Sequence, residues 1–272
     1  MAKLSAKLGL SKKSASSVER LRWFNFMLAG LFALQAVAIW FLSEADKSII
    51  PVTANFLTED KLASDAIGTQ VLVQGSTQLF DIKTVYLVVA FLLAAAVGHL
   101  LASTLLKKRY QNEVGNRTNT LRWAQYSLSF GLAVVTVGLL IGVEDIASIL
   151  ALFGLVVLAN IARMFSEKAN AQGNSNPMRD FWISIKAGFI ALTMLAIYVW
   201  AAEVYGSGLS TYLYFVLGMI FAAFILLSVV FRKAMQKKGR WSDYGYVDWL
   251  YMVVSLVGLS AIAWQIFAGT LR

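Results

Sequence analysis

The stretch Tyr251–Leu271, "YMVVSLVGLSAIAWQIFAGTL", carries no charge from end to end and no proline. As a helix, a run of about 20 apolar residues crosses the roughly 30 Å hydrocarbon core of a bilayer. Six more runs of this kind precede it, giving apolar segments at about 21–43, 83–106, 118–142, 145–166, 180–203, 210–233 and 247–270. The 272-residue chain is 58% hydrophobic and 14% charged, with a mean hydropathy of +0.66, which is too apolar for a soluble domain of this length. Its two prolines, Pro51 and Pro177, fall between the runs, so seven helices without proline kinks are expected. The composition predicts an all-α membrane protein, a seven-transmembrane-helix bundle over residues 21–272, behind a basic segment, 1–20.

That first segment, "MAKLSAKLGLSKKSASSVER", is followed by an apolar run too long for the core of a cleavable signal peptide. It reads either as an interfacial amphipathic helix with Leu4 and Leu8 on one face, or as a disordered basic tail. The chain has no cysteine, which excludes disulfides and thiolate chemistry.

Lys and Arg in short loops set orientation. The N-terminal segment and the second, fourth and sixth connections, with the helix ends beside them, carry nineteen such residues; the other side carries four, and Lys186 lies within the fifth run. The N-terminus is therefore expected in the cytoplasm and the C-terminus outside. The net charge of +9 then reflects this asymmetry and attraction to anionic lipid, and with no aromatic–basic module beside it there is no case for nucleic acid. On the outer side lies one long connection, 44–82. Within it "TQVLVQGSTQLFDI" alternates polar and apolar residues around Gly75-Ser76, a β-hairpin signal. An isolated ribbon is marginal, so it should lie on the bundle or on a neighbouring subunit.

Ionisable groups inside spans are costly and usually functional. None of the 15 acids falls near the middle of a run, which argues against ion pumping or cation transport. His99, the one histidine, reads first as a hydrogen-bonded core residue; no second ligand sits at metal spacing. Lys186 lies about 9 Å inside its helix start, within reach of snorkelling to the interface. Asn25, Gln35, Gln125, Asn160, Ser255 and Gln265 should face the bundle, because lipid cannot satisfy an amide or hydroxyl. Ser255 and Leu259, four apart, share one face of the last helix.

That last helix resembles the seventh helix of heliorhodopsins, and "RWAQYSLS" at 122–129 resembles their third. "NFMLAGLFALQ" at 25–35, "DIASILALFG" at 145–154 and "GRWSDY" at 239–244 carry the likeness over most of the chain. The resemblance implies inverted topology, a homodimer and a retinal held as a protonated Schiff base on a helix-7 lysine beside a helix-3 glutamate. Those two positions hold Leu259 and Gln125 here; a family histidine falls at Phe32, while His99 and Ser255 match the family's helix-2 histidine and helix-7 serine. The two main departures make physical sense together. Without the lysine, a glutamate at 125 would be a buried, unpaired charge, and glutamine keeps its size while removing that cost.

The leading expectation is a heliorhodopsin-like protein, not an enzyme, that has lost covalent retinal and photochemistry. It would act as a binding, signalling or scaffold protein, with a lipid or free retinal held non-covalently in the former pocket. Phe32 is the first side chain expected to fill that pocket, and the basic cytoplasmic loops would meet a soluble partner or anionic lipid. The alternative is a retinal photoreceptor with non-covalent attachment, or attachment through Lys186.

Overall fold

A computed structural model describes residues 12–173 and 176–272; the Leu4/Leu8 face lies outside them. Seven helices are long and apolar enough to cross a membrane. They are α1 (Lys12–Leu42), α3 (Thr84–Ser103), α5 (Thr120–Leu140), α6 (Ile146–Ala171), α7 (Pro177–Tyr205), α8 (Thr211–Gln236) and α9 (Tyr244–Ile266), the last continuing as a π-turn over Phe267–Leu271. Short helices α2 (Lys61–Ile67) and α4 (Lys107–Gly115) sit in the connections.

Local chemistry places the helix starts. Asn119, Asp145 and Asp243 cap α5, α6 and α9 by accepting from the backbone N–H of Arg122, Ser148 and Gly245. Pro177 occupies the first turn of α7, where its missing N–H costs nothing. Packing runs α1 on α3, α3 on α5, α5 on α6, α6 on α7 and α8 on α9, which returns to α1; α7 and α8 touch only sparingly. The central helix is α5, the most enclosed of the seven and the one with the lowest hydropathy. Outward-facing side chains such as Met27, Phe41, Phe189 and Phe215 are large and apolar, as lipid contact requires.

The outer connection is an antiparallel ribbon of β1 (Ile49–Glu59) and β2 (Leu72–Lys83). The turn, however, is not at Gly75-Ser76. "VQGSTQLFDI" is one continuous strand, and α2, capped by Asp60, joins it to β1. Gly75 pairs with Phe56 across the ribbon, and a Cβ on it would lie 2.8 Å from the Phe56 ring. The glycine thus makes room for an aromatic on the partner strand instead of bending the chain. The base of the ribbon packs on the bundle: Val52 is buried, and the Thr53 N–H donates to the Glu144 carbonyl at 2.9 Å. Its far half leaves Phe56, Leu57, Leu72 and Val73 exposed.

Candidate functional site

The sequence's candidate residues separate into two places. His99 on α3 and Gln125 on α5 line a small polar pocket with Asn25, Arg122, Asp248 and Met252; its volume, about 10 Å³, suits a single water. His99 Nδ1 donates to Asn25 Oδ1 at 2.7 Å, and Asn25 Nδ2 donates to the Leu21 carbonyl, which sets the tautomer. Phe32 stacks on the imidazole, ring centres 5.8 Å apart. Gln125 lies against Gly98, where a Cβ would meet its Cγ at 2.3 Å, so this glycine is what allows the glutamine its position. His99 Nε2 and Gln125 Nε2 have no partner among the described residues.

Ser255 and Leu259 are fully buried on α9. Ser255 donates to the Met252 carbonyl at 3.0 Å, and Tyr126 beside it donates to the Tyr251 carbonyl at 2.6 Å. Neither Ser255, Leu259 nor Phe32 lines the main apolar cavity. That cavity, about 70 Å³, lies between α5, α6, α7, α8 and α9. Its walls include Phe130, Val134, Leu192, Phe224 and, one turn beyond Leu259, Ile262; Asn160 and Arg163 are its polar side chains. Gly188 lets the Phe224 ring cross toward α7, since a Cβ there would fall 2.0 Å from the ring. Lys186 is on the exposed face of α7, whereas Ala187 and Gly188 face inward.

Reading charges by loop missed two residues. Arg122 and Arg163, counted with the connections, lie inside α5 and α6, and both are buried. They leave the orientation count, and the asymmetry survives without them. Arg122 holds a dense network at the end of the bundle where the second, fourth and sixth connections lie. Its guanidinium pairs with Glu167 at 2.5 Å and with Asp248, and its carbon sits 4.1 Å from the Tyr251 ring centre. Glu167 also accepts from Trp123 Nε1 at 2.8 Å, Tyr244 Oη at 2.6 Å and the Asn119 N–H at 2.9 Å. Asp248 accepts from Asn119 Nδ2 at 2.9 Å and from Tyr110 Oη at 2.7 Å. Burial and the neighbouring Asp248 carboxylate hold the Tyr110 phenol well above its usual range, so it remains a donor.

The family model described as Heliorhodopsin matches residues 21–271. A search of curated proteins finds no match.

Proposed function

Because the chain belongs to the heliorhodopsin family, we propose that it is a rhodopsin-like integral membrane protein that has given up covalent retinal, working as a binding, signalling or scaffold protein whose apolar cavity holds a lipid-like ligand. The observation that carries the reading is Leu259: a buried leucine stands where the family resemblance puts the retinal lysine. Two others support it. Uncharged Gln125, fitted against Gly98, stands at the position the resemblance gives the counterion, and Lys186, the alternative amine, is exposed on α7. Covalent retinal does not fit a site that offers it no amine.

The test is chemical. Protein purified from its native membrane is reduced with borohydride and its intact mass measured, while an organic extract of the same sample is analysed for small molecules. The expected result is an unmodified chain with an apolar molecule in the extract. A retinyl adduct on the chain would overturn the proposal.

The topology proposed is N-terminus cytoplasmic and C-terminus outside, from the Lys/Arg asymmetry. A tag on the C-terminus is expected to react with an impermeant label in intact cells; a tag reached only after permeabilisation reverses the assignment. We also propose a homodimer joined through the far half of the ribbon, where Phe56, Leu57, Leu72 and Val73 are exposed. Leu57→Lys, and more strongly deletion of 68–80, is expected to lower the dimer fraction captured by crosslinking in membranes. An unchanged fraction in the deletion places the interface elsewhere.

A further inference from the structure

Arg163 differs in kind from the other buried arginine of the described bundle. Arg122 is matched by two carboxylates. Arg163 is 3% exposed, lies eight residues inside the end of α6, and forms no ion pair among the described residues. Its Nη2 donates to Ser228 Oγ at 2.9 Å, Ser228 in turn donates to the Phe224 carbonyl, and Nε has no partner among the described residues. Phe224 offers its ring face 5.5 Å away. A guanidinium held within a membrane span without an anion is costly, and such residues normally mark a ligand or ion path. Here it lines the cavity that the proposed function assigns to an apolar ligand, and Asn160 is its one polar companion there. Asn160 Nδ2 gives one hydrogen to the Val156 carbonyl and has a second to offer.

We propose that this cavity takes a single-chain carboxylate amphiphile of medium length, its carboxylate on Arg163 and Asn160 and its chain against Phe130, Val134, Leu192 and Ile220. The inference rests on the reading that the cavity holds an apolar ligand, and it adds the head group. A carboxylate is planar and matches the guanidinium fork. The apolar walls require a hydrocarbon tail, which a simple inorganic anion lacks. About 70 Å³ takes the carboxylate and the first methylenes and has no room for the glycerol head of a two-chain phospholipid; the rest of a single chain would leave between α7 and α8, which touch only sparingly.

The experiment uses the full chain in zwitterionic nanodiscs with radiolabelled decanoate, 1-decanol as the neutral analogue, and empty nanodiscs as the partition blank. Wild-type protein is expected to bind both saturably. Arg163→Gln is expected to lose at least roughly tenfold in decanoate affinity, the scale of a charge-assisted hydrogen bond, with decanol unchanged. Arg163→Lys should retain part of the decanoate binding. A second readout needs no variant: the carboxyl signal of bound [1-¹³C]decanoate should stay at its ionised position at a pH where membrane-dissolved decanoate has protonated. Equal decanoate affinity in wild type and Arg163→Gln, or a bound carboxyl that titrates with the dissolved pool, overturns the inference and leaves the apolar-ligand reading standing. No saturable binding of either probe overturns both.

Discussion

Protein given all-trans retinal is expected to stay colourless in the visible, because Leu259 offers no amine. Leu259→Lys alone is expected to bind retinal as a neutral imine absorbing in the near ultraviolet. A cation formed there would have no matching anion, since Gln125 is uncharged and Asp248 is already engaged by Arg122. Leu259→Lys combined with Gln125→Glu is expected to give a protonated, visible-absorbing pigment. Absorption spectra of the three proteins, before and after illumination, decide it. A visible band in the unsubstituted protein sinks the claim that Schiff-base chemistry is lost. A folded double variant that stays colourless would locate the obstacle in the cavity wall. Phe224, laid across Gly188 in that wall, is the side chain to shorten first, and Phe32, stacked on His99, the second.

The second large effect is on stability. Arg122→Gln is expected to cost about 3–5 kcal/mol, since it strands Glu167 and Asp248 as buried carboxylates that keep only neutral donors. Replacing the partners as well, with Glu167→Gln and Asp248→Asn, should recover part of the loss, because no unpaired charge then remains. The measurement is reversible unfolding in mixed micelles, or thermal unfolding read as a difference between variants. If Arg122→Gln unfolds within about 1 kcal/mol of the unsubstituted protein, the network is not the clamp that its geometry indicates.

Much of the fold was legible because its signal is long and redundant. Seven apolar runs, two prolines outside them and an alternating outer loop leave few other architectures. The errors came from short-range ambiguity. Gly75-Ser76 carries a turn signature, yet a glycine in a strand serves equally to admit a partner's ring, and only the register against Phe56 tells the two apart. The candidate site was legible residue by residue but not as an assembly. His99 and Gln125 do meet, through the space at Gly98. Leu259 and Ser255 share the predicted face of α9, but the cavity opens one turn further along, at Ile262. Arg122 and Arg163 were hidden by their closeness to helix ends, where a charge reads as a loop charge until burial is known. Glu167 and Asp248 were passed over for the same reason: both sit near a terminus in sequence and face inward in space.

The most enclosed span is also the least hydrophobic, and this bears on how the protein enters the membrane in the first place. Insertion by the translocon weighs each emerging segment by its own side chains, and α5 brings Arg122, Gln125 and several hydroxyls to that partition. Its buried guanidinium, Arg122, finds its carboxylates only far along the chain, Glu167 on α6 and then Asp248 on α9. The third span therefore emerges from the ribosome before its partners exist. Until the fourth and seventh spans arrive, Arg122 has neither Glu167 nor Asp248 to pair with. Synthesis that stops before α9 leaves Arg122 without Asp248, so the cost of a missing last span falls on the buried charge of the third.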